Sequence, residues 1–406
     1  MYKKLWKLIL VTVVISNLFV FTSYAKTNPN GPWVTPNQHV SLERMYTPEE
    51  LEKELKNIEA RSNGRMTLEV AGTTQSGYPI YVAKIGDNDP NKKGVLIQST
   101  MHGDEELGVI SSVELIKTLV SSNNPEVQKM RDNLSVWVVP MLNPEGVVGH
   151  VVDGVGKPLR YNRQAWTPGE WGLEESQVKP WYHRATGYDI NRDFNPDLEF
   201  ELNPSTAHLL PGQSVSGWRG SVGFFVTPEA RAMVDLYEAL EPELFIDLHH
   251  TYPTYTVSED SDEMSTLAIL NVPIAEEGYT DREDNFWKVD DEVVDLSKRI
   301  GSLVYQKLQV GNSHFGNVSR YEELNVPAMA ISTFALNGTP TMLYEIRGGS
   351  NYDTGQKASG MMIKQTYDGL YETLKGFVTG EVYQADPAVY DSIPVFGPVV
   401  DNPHEH

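Results

Sequence analysis

Two short apolar runs, "GVLIQSTM" at residues 94–101 and "LSVWVVPML" at 134–142, constrain the fold of this chain most strongly. Runs of this length, rich in Val, Ile and Leu and without alternating polar residues, suit strands covered on both faces. The segment between them, "ELGVISSVELIKTLVSS", has a helical period. Strand, helix and strand in that order predict a parallel crossover unit, because parallel neighbours need a long connection across the sheet. The alternation continues with a helix in "TPEARAMVDLYEALEP", a buried strand in "LFIDLHH" and a helix in "DEVVDLSKRIGSLVYQKLQ". Strands are predicted in "VPAMAIS" and "PTMLYEIRG", and a final amphipathic helix in "QKASGMMIKQTYDGLYETLKGFV". Upstream, "TPEELEKELKNIEARS" carries Thr47, Pro48 and Glu50 at the positions of an N-cap, a first-turn proline and a capping-box acid. A hairpin of "MTLEVAG" and "YPIYVAKIG" follows.

The predicted fold class is therefore α/β: a single domain over residues 45–380 with a mixed, mostly parallel central sheet flanked by helices. Residues 149–188 lack periodicity and are rich in Trp, Pro and Gly, which predicts a long surface loop. At the N-terminus, basic "MYKKLWK", apolar "LILVTVVISNLFVF" and "TSYA" form the three regions of a secretory signal peptide over residues 1–25. Its apolar run is interrupted by Ser16 and Asn17 and is too short for a membrane anchor. The expectation is a secreted or periplasmic protein with no stable membrane association after cleavage, an N-terminal extension at 26–44 and a C-terminal tail at 381–406.

Charge and cysteine usage narrow the chemistry. The net charge is −22, and removing the leader takes away three lysines and no acid, which leaves −25. So acidic a chain is poorly suited to nucleic acid, whose binding rests on clustered Lys and Arg. The chain has no cysteine. Disulfides and thiol chemistry are excluded, and His, Asp and Glu remain as metal ligands. The acidic clusters "SEDSDEMS" and "EEGYTDREDN" lack the spacing of a calcium loop and read as solvated faces.

Ligands of open α/β sheets bind at the carboxyl ends of strands. His102 and Glu105 stand just past the end of "GVLIQSTM", and His249 and His250 end "LFIDLHH". Side chains alternate along a strand, so Asp247 and His249 share one face and His250 takes the other. Two histidines and a glutamate are one of the sets that hold catalytic zinc and leave a position open. On this spacing alone, a metal site and an ordinary polar turn both remain open.

Six segments in order resemble the motifs of the M14 zinc carboxypeptidases: "HGDE" at 102–105, "NPEG" at 143–146, "RYNR" at 160–163, "DINRDF" at 189–194, "DLH" at 247–249 and "YEIRG" at 344–348. The resemblance covers roughly residues 45–380. It implies that His102, Glu105 and His249 bind one Zn2+ per chain, with Asp189 supporting the first histidine. It implies that Asn191 and Arg192 hold the substrate's terminal carboxylate. Arg163 matches the arginine that polarises the scissile carbonyl, with Arg160 as the alternative. Glu345 matches the general base that takes a proton from a zinc-activated water. The segment 319–340 offers Tyr321 as the family's substrate tyrosine without a clear motif match, and Asp104 stands where digestive members carry an arginine.

The implied activity is hydrolysis of the C-terminal peptide bond of peptides or proteins. Two alternatives stand beside it: a zinc amidohydrolase acting on acyl amino acids or cell-wall stem peptides, and a non-catalytic binding protein. The extension at 26–44 is too short for a folded inhibitory pro-domain, which implies activity without proteolytic activation. The uncharged "AMAISTFALNGT" favours apolar over basic terminal residues.

Overall fold

The computed structural model describes residues 45–86, 91–152, 155–184, 187–210, 222–251, 254–281, 284–309, 314–321, 324–347 and 356–400. The expected signal peptide and the extension at 26–44 lie outside these residues.

The first helix among the described residues, α1 (Pro48–Arg61), begins with the expected capping box: Thr47 Oγ1 accepts from the Glu50 amide, and the Glu50 carboxylate accepts from the Thr47 amide. Leu51, Leu55 and Ile58 form its buried stripe. Strands β1 (Met66–Thr73) and β2 (Pro79–Ile85) make the antiparallel hairpin. Then follow β3 (Lys93–Ser99), α2 (Leu107–Ser121), α3 (Pro125–Asn133) and β4 (Leu134–Val139). β3 and β4 are parallel, as the crossover requires. All six residues of β4 are buried, which explains its uninterrupted apolar run.

A short helix, α4 (Pro144–Val148), and a small hairpin of β5 (His150–Val152) and β6 (Val155–Lys157) come next, then α5 (Pro228–Leu240), β7 (Leu244–Thr251) and β8 (Leu267–Leu270). A two-residue ribbon, β9 (Tyr279–Thr280) and β10 (Phe286–Trp287), precedes α6 (Asp291–Leu308) and β11 (Val318–Arg320). The chain closes with α7 (Ala330–Leu336), β12 (Thr341–Arg347), α8 (Gln356–Thr379), α9 (Glu381–Gln384) and α10 (Pro387–Ser392).

Eight strands form one sheet in the order β1-β2-β4-β3-β7-β12-β8-β11. The central pairs β4/β3, β3/β7 and β7/β12 are parallel, whereas β1/β2, β2/β4 and β12/β8 are antiparallel. Helices cover both faces. One face packs Leu55, Ile116, Ile300 and Leu374 of α1, α2, α6 and α8, and the other packs Met233 and Leu236 of α5 with Phe334 of α7.

Three expectations are corrected. "VPAMAIS" is not a strand: Ala330 to Ala335 are buried within helix α7, where Phe334 stacks on Tyr237 at 4.2 Å and meets Phe245 edge-on at 4.8 Å. A segment buried all round has no period to separate helix from strand. The 149–188 loop carries the β5/β6 hairpin and a 3-10 turn at Pro168–Trp171, and its Leu173, Tyr182 and Tyr188 pack into a separate cluster with Leu202, Phe224 and Val226. Residues 381–400 are not a loose tail, because Val382, Tyr390 and Ile393 join the main core.

Candidate metal centre

At the carboxyl end of β3 the chain turns sharply. Thr100 adopts φ +57°, an uncommon conformation for a β-branched residue, and its hydroxyl donates to the Glu105 carbonyl at 3.2 Å. Gly103 lies so close to α4 that an added Cβ would sit 2.1 Å from the Gly146 carbonyl carbon. Asn143 fixes α4 against this turn: its Oδ1 accepts from the Gly146 amide at 2.8 Å and its Nδ2 donates to the Met101 carbonyl at 3.2 Å. The "HGDE" and "NPEG" segments therefore form one unit, with glycine at both points of closest approach.

This turn and β7 bring three ligand types together. His102, Glu105 and His249 are buried, and one ligand atom from each lies within 4.8 Å of the others. His102 Nδ1 is 2.7 Å from Glu105 Oε1, His249 Nδ1 is 2.8 Å from Glu105 Oε2, and the two Nδ1 atoms are 3.1 Å apart. Each outer nitrogen faces a carboxylate: His102 Nε2 lies 3.3 Å from Asp189 Oδ1, and His249 Nε2 lies 3.0 Å from Asp247 Oδ1. With the ring protons held on the outer nitrogens, two lone pairs and a carboxylate converge on one point. Two imidazole nitrogens and a carboxylate are a donor set that fits zinc, and in the absence of a metal a proton on His249 relieves the convergence. Burial works against both partners, yet the histidines pull Glu105 well below the usual carboxylate range, and Asp247 and Glu105 hold His249 well above the usual imidazole range.

His250 faces the other way. Its Nε2 accepts the Leu107 amide at 3.1 Å at the start of α2. Asp247 also accepts from Gln98 Nε2 on β3. Its support of His249 was legible in the shared strand face but was not singled out from the sequence.

Asp189, Asn191 and Arg192 sit in and beside a 3-10 turn, Ile190–Arg192. Buried Asp193 anchors that turn by accepting from the Val226 amide at 3.0 Å, the Thr227 amide at 2.7 Å and the Thr227 hydroxyl at 2.6 Å. Asn191 Nδ2 is 3.3 Å from His249 Nε2, and its Oδ1 accepts from the Ala330 amide at 3.1 Å. Arg192 donates to the Asn191 carbonyl at 2.7 Å. Burial opposes the Asp189 charge, but Arg160 and Arg192 hold the carboxyl well below its usual range.

The arginine beside the ligands is Arg160 rather than Arg163. Its Nε donates to Asp189 Oδ2 at 3.2 Å, and its Nη1 is 3.5 Å from Glu105 Oε1. The Arg160 carbonyl accepts from the Gly103 amide and from Asn143 Nδ2, each at 3.4 Å, which pins that residue to the metal-ligand turn. Arg163 is exposed three residues on, with its amide bonded to Glu145 Oε2 at 2.9 Å.

Glu345 lies on β12 in register with His249 of β7, so the two side chains emerge on the same face of adjacent strands. Burial pushes its carboxyl up to about 7; Glu105 adds to the rise, and His249, His102 and Arg160 oppose it. Arg347, two residues on, is buried and turns to Met264 Sδ at 3.5 Å instead of pairing with Glu345. Tyr321 is half-buried, and its pKa is raised by burial and by the Glu345 charge. Arg160 and Arg192 act on it in the opposite sense.

Comparison with known proteins agrees with this geometry. The family described as zinc carboxypeptidase, the M14 peptidases, matches residues 51–369. A zinc carboxypeptidase of Saccharothrix mutabilis subsp. capreolus is 31% identical over 102 residues, 24% of this chain and 24% of that protein. Carboxypeptidase B of Rattus norvegicus is 28% identical over 102 residues, 25% of each. This chain thus aligns with about a quarter of the length of these relatives. In fold, bovine thrombin-activatable fibrinolysis inhibitor superposes with a TM-score of 0.54 at 13% identity over 84% of this chain and 99% of that one. Carboxypeptidase A of Helicoverpa armigera gives 0.51 at 16% identity over 87% and 75%. With the family match spanning most of its length and these neighbours sharing its fold, the chain belongs to the M14 zinc carboxypeptidases.

Proposed function

We propose that this protein is an exported zinc carboxypeptidase that removes the C-terminal residue of peptides or proteins. The observation that carries the reading is the buried convergence of His102, Glu105 and His249, with Glu345 on the neighbouring strand. Zinc held by those three side chains, one ion per chain, would supply Lewis acidity to a water and to the scissile carbonyl.

The remaining steps belong to the chain's own groups. Arg192 and Asn191 hold the substrate's free carboxylate, a task suited to a guanidinium that keeps its charge and donates two parallel hydrogen bonds. Arg160 lies beside Glu105 and Asp189 and is the nearer candidate to stabilise negative charge growing on the carbonyl oxygen, in place of Arg163. The Glu345 carboxylate takes a proton from the attacking water and returns it to the leaving amine. Its place on β12, in register with His249, puts that carboxylate beside the ligand set for both transfers. Asp189 and Asp247 keep the imidazoles oriented through their outer nitrogens.

The residues in and around α7, "AMAISTFALNGT", carry no charge, which supports an apolar terminal residue in the substrate. Export is supported by the leader at 1–25, and N-terminal sequencing of secreted material starting at Lys26 would bear it out.

The deciding assay presents the zinc-loaded chain with blocked dipeptides, acyl amino acids and cell-wall stem peptides. Release of the terminal residue from blocked dipeptides, faster for Phe or Leu than for Lys, is the expected result. Turnover confined to acyl amino acids or stem peptides would replace this reading with the amidohydrolase. No turnover of any of them would leave a binding protein.

A further inference from the structure

We infer that the C-terminal strap, residues 393–400, is part of the substrate site, and that Phe396 forms a wall for an apolar or aromatic side chain flanking the scissile bond. This inference rests on the assignment of Glu345 and Arg192 to the reaction centre. The strap lies beyond residue 369, where the family match ends.

Backbone pairing draws the strap across the edge of the sheet. The Arg320 amide donates to the Pro394 carbonyl at 2.8 Å, the Gly397 amide to Thr256 at 3.0 Å, the Thr256 amide to Pro398 at 3.0 Å and the Val400 amide to Thr254 at 2.8 Å. The strap therefore bridges the segment after β7 to the end of β11. At Gly397 the approach is so close that an added Cβ would meet the Ser258 carbonyl oxygen at 2.2 Å. Buried Ile393 and Val400 hold the two ends.

Between those ends Phe396 meets two tyrosines. Its ring stacks on Tyr255 at 4.2 Å and 17°, and meets Tyr321 edge-on at 5.0 Å and 86°. All three rings are half-buried, so each keeps apolar surface open. Glu345 of β12 pairs with Ala268 of β8, which pairs with Ser319 of β11, so Tyr321, two residues on, shares the sheet face of Glu345; the Glu345 charge acts on both tyrosines. An aromatic wall next to a few convergent charged groups is how sites take an apolar side chain while fixing its polar ends. Neither Tyr255 nor Tyr321 gains this wall without the strap, because Phe396 is the ring that joins them.

The test compares zinc-loaded wild type, Phe396→Ala, Phe396→Tyr and Gly397→Val on two series of blocked dipeptides. One series varies the terminal residue and the other the preceding residue, each through Phe, Leu and Ala. Phe396→Ala should lose about 10- to 100-fold in kcat/KM on Phe and Leu within one series, chiefly through KM, while the Ala substrates change little. Gly397→Val, which displaces the strap, should follow it, and Phe396→Tyr should restore the preference. Zinc content should stay at the wild-type value. If Gly397→Val fails to fold, Phe396→Ala at its half-buried position decides alone. A uniform loss, a uniform gain or unchanged ratios in Phe396→Ala would overturn the strap's role while the carboxypeptidase reading stands. A wild type that cleaves no free-acid peptide would overturn both.

Discussion

At the scale of single residues, the proposed reading separates groups that hold the metal from groups that move protons or hold substrate, and their substitutions should fail differently. Glu345→Gln removes the proton acceptor and leaves the ligands in place. Steady-state kinetics should show kcat down by about 10²- to 10⁴-fold with KM little changed; a large rise in KM with kcat intact would remove Glu345 from the proton path. Arg192→Ala should raise KM strongly for a free-acid peptide and also lower kcat, because the same clamp aligns the scissile bond. It should scarcely alter residual cleavage of the carboxyl-amidated peptide. Equal losses on both substrates would make Arg192 structural. Adjacent His249 and His250 give a sharper contrast. His249→Ala should lose zinc, whereas His250→Ala should keep it and instead leave the buried Leu107 amide unpaired, at a cost of about 1–3 kcal/mol in denaturant unfolding. The alternation that separates them was readable in "LFIDLHH". Choosing between Arg160 and Arg163 was not, because the Gly103 and Asn143 hydrogen bonds that pin Arg160 join segments far apart in sequence.

At the scale of elements, the sequence was most informative where an element has one buried face or is short, apolar and bounded by turn residues. The capping box of α1, the β1/β2 hairpin and the parallel β3/β4 crossover all stand where the pattern put them. α7 did not, since burial on every side erases periodicity. The three-residue β11 and four-residue β8 were missed because their pairing is decided by neighbours, not by propensity. One element carries a pH prediction. Glu229, in the first turn of α5, is fully buried and accepts from Asn162 Nδ2 at 3.3 Å through both oxygens; burial raises its carboxyl to about 8 from an ordinary 4.5. Between those values the folded chain holds a proton that the unfolded chain has released, so this group's contribution to stability falls as pH rises from about 4.5 to 8. Glu229→Gln removes the titration and keeps an acceptor for Asn162. The Tm of the variant relative to wild type should therefore climb across that window; parallel Tm curves would show that Glu229 does not titrate there.

At the scale of the whole molecule, the proposed function depends on bringing three strand ends and a distant loop to one end of the parallel strands. β3 delivers the turn with His102 and Glu105, β7 delivers His249, β12 delivers Glu345, and the loop anchored by Asp193 delivers Asp189, Asn191 and Arg192. The motif order made these residues identifiable from sequence, but the partners that hold them came only with the fold. The Arg160 side chain on Asp189 and Phe396 beside Tyr321 are the clearest cases. The measurement that tests the account most directly is the zinc content of the purified chain, followed together with turnover of a free-acid dipeptide through chelation and zinc return. The account predicts one zinc per chain, with activity lost in proportion to its removal and regained on its addition. Full turnover by metal-free protein, or full zinc content in both His102→Ala and His249→Ala, would contradict it.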